Sequence, residues 1–252
     1  MRLGKARIMK TVCFIEARFR STRLPGKVLK PILGKPMLEL MIERLRRART
    51  LDGIVVATTD QPADDGIAEL AQRLNVGVFR GSEDDVLARV LGAARAYQAD
   101  VIVETTGDCP LHDPAIIDMV VSDFRIGGAD FVSNVLKYTS PRGTDVRVFT
   151  TATLDQINRT STDPADHEHV SLHFWEHPEK YVLRDVLIGL PPDAAQLRLT
   201  VDTPQDFELI RRVYEELYPV KPDFTLWDVL DLFKRFPELP LINQDIMQKP
   251  AR

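Results

Sequence analysis

The first half of the chain alternates short β-branched segments with amphipathic segments, and this alternation constrains the fold more than any other feature. Strands are predicted at 11–17, 53–60, 76–81 and 100–108, and helices at 35–50, 62–75, 83–99 and 113–126. In the first helix the apolar residues recur at the spacing of one helical face, as Leu38, Met41, Ile42 and Leu45. Its arginines, Arg44 among them, are predicted to face solvent. Four successive β-α units are typical of a largely parallel sheet covered by helices.

The second half is less regular. Strands are predicted at 129–135, 144–149, 180–187 and 197–202, and helices at 151–158, 163–177, 203–218 and 225–236. No internal repeat, low-complexity tract or linker interrupts the chain. The α/β pattern therefore predicts a single domain over residues 1–252, with a small lobe inserted at about residues 136–190.

Composition excludes several classes of protein. A net charge of -4 argues against a general nucleic-acid binder. No apolar stretch approaches the ~20 residues that cross a bilayer, so membrane insertion is not expected. The basic N-terminus lacks the apolar core of a signal peptide, and the two cysteines offer no disulfide framework, which favours the cytoplasm. Met9 directly precedes the first strand, so residues 1–8 are either a loose extension or an overlong start.

The most distinctive loop is EARFRSTRLPGKVL, residues 16–29, which follows the first strand and contains three arginines and Lys27. It is not a Walker A loop, because Ser21 stands where the first glycine belongs and Val28 follows Lys27. The chain also has no G-x-G-x-x-G fingerprint. Guanidinium and ammonium groups bind phosphate oxygens well, so the loop is predicted to bind a phosphate-rich ligand. A solvated basic loop is the alternative interpretation.

Two aspartates follow predicted strands at the edge where ligands bind in open parallel sheets. Asp108 ends the fourth strand in TTGDCP, and Asp202 ends a later strand in TVDTP. Thr203, Pro204 and Asp206 already satisfy the start of the next helix, which leaves the carboxylate of Asp202 free. Because one or two carboxylates typically hold Mg²⁺ together with phosphate oxygens, Asp108 and Asp202 are predicted to share one Mg²⁺ site.

These motifs together resemble a known family. The segments ARFRSTRLPGKVL, GKPMLELMIERL, GDCPLHDP and LTVDTPQDFELI are similar to those of the cytidylyltransferases that make CMP-activated acidic sugars. These are the CMP-KDO and CMP-acylneuraminate synthetases, and the likeness is greatest to the spore-coat polysaccharide (SpsF-like) branch. The resemblance covers about residues 10–215. It implies a Rossmann-like nucleotidyltransferase fold with a mixed, mostly parallel sheet, and a reaction of CTP with a sugar hydroxyl that releases pyrophosphate.

The resemblance also implies roles for particular residues. The catalytic residues would be Lys27, Arg18 and Asp108, and the metal ligands Asp108 and Asp202. Nucleotide contacts would come from Arg18, Ser21, Thr22, Arg23, Lys27, Thr59, Ser82 and Thr106. The acceptor sugar would contact Arg142, Asp145 and His169. The preference for cytosine follows from the likeness alone.

The chain departs from the family pattern near the acceptor. Cys109 stands where KDO synthetases carry a glutamate, His112 interrupts a segment that is usually apolar, and Arg142 and Arg147 stand where acidic residues are expected. These departures leave the identity of the sugar open, since the two arginines either bind an anionic group of the substrate or face solvent.

Three other interpretations remain at this point. They are a glycosyltransferase that uses a sugar nucleotide, a nucleotidyltransferase that uses another NTP, and a non-catalytic nucleotide-binding module. The chain ends no strand with the D-x-D motif typical of glycosyltransferases. A homodimer is also predicted, formed through the inserted lobe, because Phe174 and Trp175 have no evident place in a single α/β core.

Overall fold

The computed structural model describes residues 9–249, so the expectation about residues 1–8 lies outside the described part of the chain. Its strands are β1 (Thr11–Glu16), β2 (Pro31–Ile32), β3 (Lys35–Pro36), β4 (Gly53–Thr59), β5 (Gly77–Gly81), β6 (Val101–Thr106), β7 (Phe131–Ser133), β8 (Arg147–Thr150) and β9 (Leu183–Asp185). Strands β2 and β3 form a small antiparallel pair, and the others form one sheet.

The sheet is mixed and mostly parallel, as predicted. Its seven strands run in the order β5-β4-β1-β6-β8-β7-β9. Strands β5, β4, β1 and β6 are parallel neighbours, whereas β8 is antiparallel to both β6 and β7, and β9 is parallel to β7. The carboxyl ends of β1, β4 and β6 therefore meet at one edge, where the loop 16–29 and Asp108 lie.

The helices cover both faces of this sheet. They are α1 (Met37–Leu45), α2 (Asp65–Arg73), α3 (Val86–Ala96), α4 (Pro114–Ile126), α5 (Thr151–Thr160), α6 (Pro164–Glu168), α7 (Leu172–Glu176), α8 (Pro204–Leu217) and α9 (Leu226–Arg235). The single helix predicted at 163–177 is two short helices, with His169 at their break. None of the helices within residues 9–249 is long and apolar enough to cross a membrane.

Alternation along β1 explains how two cores form. Cys13 and Ile15 point to a core covered by α1, α2, α4, α8 and α9, while Val12 and Phe14 point to the opposite core with α3, α5 and α7. Successive residues of a strand face opposite sides, so a strand that is buried on both faces is apolar throughout.

The prediction that Arg44 of α1 faces solvent is wrong, because its side chain is buried and donates to the carbonyl oxygens of His112 and Phe224.

The segment predicted as a strand at 197–202 is not one. It forms only an isolated bridge, between Arg142 and Arg198. Its backbone groups bond to loops instead: Leu199 N–H donates to the carbonyl oxygen of Arg142 at 2.7 Å, and Val201 N–H donates to that of Asp108 at 2.7 Å. This segment therefore joins the turn after β6 to the loop before β8.

Residues 136–190 do not all lie apart from the sheet, since they include β8 and β9. Phe174 is fully buried, and its ring lies 4.8 Å from that of Phe131 and 5.1 Å from that of Phe149. Phe174 thus has a place in the core, which removes one reason for expecting a partner surface there. The homodimer itself stays a prediction, which the mass measured by light scattering would test.

Candidate active site

Two adjoining cavities open at the carboxyl edge of the sheet. The loop cavity, of about 870 Å³, is lined by much of the loop 16–28 and by Arg89 of α3. The strand cavity, of about 770 Å³, is lined by Glu104, Arg147, the loop 138–145 and residues 168–175. Both cavities share several residues at their border: Glu16, Arg23, Thr106, Asp108, Glu168, His169, Asp202 and Lys249. Two ligands bound side by side would meet at this border.

The cationic loop has a defined conformation. Phe19 N–H donates to the carboxylate of Asp64 at 2.5 Å, and Gly26 N–H donates to the carbonyl oxygen of Phe19 at 2.8 Å. Gly26 has a φ of 68°, and a Cβ at this position would lie 2.8 Å from the Phe19 ring, so the turn requires glycine. A short 3-10 helix, Lys27–Leu29, follows and carries Lys27 inward. These contacts favour a built binding loop over a merely solvated one.

Lys27 links the two aspartates that the sequence singles out. Its Nζ lies 2.9 Å from Asp108 Oδ2 and 2.9 Å from Asp202 Oδ1, and it also donates to the carbonyl oxygen of Val201 at 2.6 Å. The two carboxylates are therefore well within the ~10 Å beyond which one Mg²⁺ could not hold both. Burial alone would lower the pKa of Lys27, but Asp108 and Asp202 outweigh burial and raise it. Burial likewise would raise the pKa of Asp108, and Lys27 reverses this, so that pKa falls below its usual range.

Asp202 has further partners that the sequence did not indicate. Arg23 lies 3.0 Å and Arg198 lies 2.7 Å from its Oδ2. As predicted, Thr203 and Asp206 form the capping box of α8; Asp202 N–H also donates to Asp206 Oδ2 at 2.9 Å, but the Asp202 carboxylate takes no part in the box. However, that carboxylate is not free, because Lys27, Arg23 and Arg198 pair with it.

The strand cavity has a floor formed by side chains of β1, β6 and β8, namely Glu16, Glu104 and Arg147. Arg147 lies 2.7 Å from Asp145 and 3.5 Å from Glu104, and its guanidinium lies 5.5 Å from the ring centre of Trp175. Arg147 therefore neither faces solvent nor stands free for a substrate anion. Burial, and then the charge of Glu104, raise the pKa of Glu16 to about 8. Arg142, by contrast, is exposed at the mouth of the cavity and forms no ion pair with the described residues.

Most of the predicted nucleotide contacts line the loop cavity: Arg18, Ser21, Thr22, Arg23, Lys27 and Thr106. Thr59 and Ser82 are not among its lining residues. Thr59 is fully buried and donates its hydroxyl to Asp64, while the Ser82 hydroxyl accepts from Asp85 N–H at 3.0 Å. Strand β4 is buried on both faces, so Thr59 lies beside the cavity rather than in it.

The three residues predicted at the acceptor, Arg142, Asp145 and His169, all line the strand cavity. His169 reaches both cavities because it lies at the break between α6 and α7. Four further residues were missed: Glu16, Glu104, Arg89 and Arg198. A charged residue inside an apolar segment, as in VIVETT around Glu104 and VLARVLG around Arg89, was the available signal.

The two departures near Asp108 have structural explanations. Cys109 is buried with its Sγ 3.3 Å from the Thr106 hydroxyl, and burial raises the pKa of its thiol. His112 is fully buried, and burial lowers its pKa to about 3, so its ring is neutral. Cys109 also donates to Asp108 Oδ1 at 3.5 Å and lines the strand cavity, whereas His112 lines neither cavity.

Comparisons with known proteins agree with this geometry. A family model described as cytidylyltransferase matches residues 12–221. The spore coat polysaccharide biosynthesis protein SpsF of Bacillus subtilis is 32% identical over 236 residues, which cover 91% of this chain and 97% of that protein. The 3-deoxy-manno-octulosonate cytidylyltransferase of Geobacter metallireducens is 31% identical over 193 residues, which cover 70% of this chain and 75% of that one. The solved structure of a cytidylyltransferase from Leptospira borgpetersenii has a TM-score of 0.88 at 33% identity, covering 96% of this chain and 100% of that one.

Proposed function

The chain belongs to the cytidylyltransferase family, and on this premise we propose that it transfers the CMP group of CTP to a hydroxyl group of an acidic sugar. Membership confirms the resemblance predicted from the motifs, and with it the Rossmann-like nucleotidyltransferase fold. In the proposed reaction the sugar oxygen attacks the α-phosphorus, and the bond from that phosphorus to the bridging oxygen breaks. The products are a CMP-sugar and pyrophosphate, for use in surface polysaccharide or glycoconjugate synthesis.

One observation carries this proposal: Lys27 and the two aspartates lie at the border between the two cavities. The reacting atoms of a nucleotide in one cavity and a sugar in the other would meet at this border. Negative charge accumulates on the phosphate oxygens during such a transfer, and fixed cations stabilise it without reorganising. Arg18, Arg23 and Lys27 supply these cations from the loop.

We propose that Asp108 and Asp202 hold Mg²⁺ when CTP is bound. Their carboxylates are the hard oxygen ligands that Mg²⁺ prefers, and both line each cavity. No group of three or more metal-binding side chains stands together within residues 9–249, so phosphate oxygens and water would complete the coordination. A bound Mg²⁺ would neutralise phosphate charge, while Lys27 and Arg23 orient the phosphates and exclude bulk water.

The strand cavity is the proposed acceptor site. Arg142 offers a guanidinium with no ion pair among the described residues, which suits the carboxylate of a sugar acid. The related Geobacter protein is named for acting on such an acid, 3-deoxy-manno-octulosonate. Asp145 and His169 lie on the same wall and would bind the sugar hydroxyls.

Pyrophosphate release tests this function. The protein is incubated with Mg²⁺, a panel of acidic sugars and each of the four NTPs, and only CTP is expected to release pyrophosphate. A Lys27→Met variant should lose most of this activity, whereas Lys221→Met, which removes an exposed lysine paired with Asp228, should retain it. Equal turnover of UTP would contradict the choice of nucleotide. Sugar transfer from a sugar nucleotide, without pyrophosphate, would favour a glycosyltransferase.

A further inference from the structure

The floor of the strand cavity brings two carboxylates onto one face of the sheet. Glu104 lies opposite Phe14 of β1 in the parallel register, and Glu16 follows Phe14 by two residues. Residues two apart on a strand share a face, so Glu16 and Glu104 point to the same side. Arg147 lies opposite Glu104 on the antiparallel strand β8. All three side chains line the strand cavity.

The charges on this floor do not balance. Arg147 is already paired with Asp145 and Glu104, and it forms no ion pair with Glu16 among the described residues. Arg89 approaches Glu16 from α3, but its guanidinium donates to the carbonyl oxygens of Ser82 and Glu83. Three carboxylates therefore share one paired guanidinium, with Arg89 contributing only from a distance.

Polar atoms on the same floor have no partner. The acceptors Glu16 Oε1 and Glu104 Oε2 are buried and form no hydrogen bond within the described chain, and the same holds for the donors Trp175 Nε1, Arg89 Nε and Arg147 Nε. Glu104 is only 4% exposed, so its free oxygen has little access to bulk water. Buried polar atoms are nearly always hydrogen-bonded, and unpartnered ones beside a cavity indicate a ligand that completes them.

We propose that the acceptor sugar carries an amino group, and that its ammonium binds between Glu16 and Glu104. This inference rests on the proposed function, since it takes the strand cavity as the acceptor site. An ammonium donates three hydrogen bonds and can serve both free carboxylate oxygens, whereas a hydroxyl donates only one. An anionic group at this floor would meet carboxyl oxygens and no unpaired cation, so the carboxylate of the sugar binds at Arg142 instead.

Electrostatics agrees with this assignment. Burial and Glu104 raise the pKa of Glu16 to about 8 despite the opposing effects of Arg89 and Arg147, while the charge of Asp108 adds to the increase. Without a ligand, Glu16 therefore keeps its proton near neutral pH. A cation placed between Glu16 and Glu104 favours the charged form of both carboxyl groups, so Glu16 releases this proton when the ammonium binds.

Isothermal titration with matched sugar pairs tests the proposal. The probes are 3-deoxy-manno-octulosonate and its 8-amino analogue, glucose and glucosamine, and galactose and galactosamine, each titrated into protein saturated with CTP and Ca²⁺. In at least one pair the amino member is expected to bind roughly tenfold more tightly or better, the scale of a charge-assisted hydrogen bond. Glu16→Gln and Glu104→Gln should each remove this preference. Glu69→Gln, which removes an exposed carboxylate outside both cavities, should keep it.

The proposal is overturned if no amino sugar binds better than its hydroxyl partner, or if the preference survives in both glutamine variants. Glutamine keeps the size of glutamate, and unchanged CTP affinity and melting temperature would show that each variant is folded. Failure of the inference differs from failure of the proposed function. Pyrophosphate release from CTP with hydroxyl sugars alone removes only the inference, while amino-selective binding without pyrophosphate release from any NTP removes only the proposed reaction.

Discussion

The loop cavity and the strand cavity are neighbours, yet their charges are arranged in opposite ways. Beside the loop, the two predicted metal ligands are paired in advance: Lys27 bonds to both aspartates, and Asp202 also pairs with Arg23 and Arg198. At the floor of the strand cavity, Glu16 and Glu104 keep free oxygens. A site that binds a substituent common to all its ligands can have its own charges paired before binding. A site that selects one ligand leaves unpaired the polar atoms to which that ligand will bind.

The largest expected effect tests the paired side of this comparison. Asp108→Asn and Asp202→Asn should each lower turnover by ~100-fold or more, the scale of losing a preorganised electrostatic group. Combining them should cost much less than the product of the two losses, because both act at one site. Steady-state pyrophosphate release measures all three variants. If the double variant instead loses activity by the full product of the two single losses, the two aspartates act independently.

The stability of Asp202→Asn shows whether the Asp202 carboxylate is stabilised by its cations or destabilised by repulsion from Asp108. Since Asp202 contacts three cations, Asp202→Asn should lower the free energy of unfolding by roughly 1–2 kcal/mol. Urea unfolding without metal gives this value. An increase in stability would instead indicate that the two carboxylates repel each other, as the sequence alone suggested.

An effect on stability at least as large is expected where the two cavities are joined. Gly143 has a φ of +94°, and a Cβ there would lie 2.5 Å from the backbone nitrogen of Thr200, close to Asp202. Gly143→Ala should therefore lower the free energy of unfolding by about 2 kcal/mol or more and weaken ligand binding in both cavities. Gly189→Ala is the matched control, because Gly189 also has positive φ but no atom within 4 Å of its Cβ position. Equal losses in the two variants, measured by urea unfolding, would rule out the backbone contact as the cause.

The smallest effect concerns the unpaired side and depends on pH. The pKa of Glu16 is about 8 in the folded chain and 4.5 as its ordinary value, so the folded state retains a proton that the unfolded state loses. The stability that this proton contributes is complete below pH 4.5 and is lost as pH rises through about 8. Glu16→Gln should accordingly gain stability relative to the wild type as pH rises across this window. Urea unfolding from pH 4 to 9 checks this, and a constant difference would contradict it.

Local patterns in the sequence determined most of the scaffold. The β-α alternation, the double apolar faces of β1 and the capping box at Thr203 each depend on residues a few positions apart, so their periodicity is visible in the chain. Position at the end of β6 also placed Asp108 at the ligand-binding edge. Asp202 reaches the same edge through the hydrogen bond from Val201 N–H to the carbonyl oxygen of Asp108 rather than at the end of a strand. Long, specific motifs likewise identified the family.

Tertiary structure alone decided which groups meet. Residues 197–202 are as β-branched as a strand, but they bond to two loops rather than to a neighbouring strand. Thr59 is polar, yet it lies in a strand that is buried on both faces, and Arg44 is buried although its position in the helix predicted a solvent-facing side chain. Glu16, Glu104 and Arg147 come from three strands, and no local pattern records their mutual distances. Burial and charge pairing depend on contacts between residues far apart in the chain, which only the folded arrangement of the strands creates.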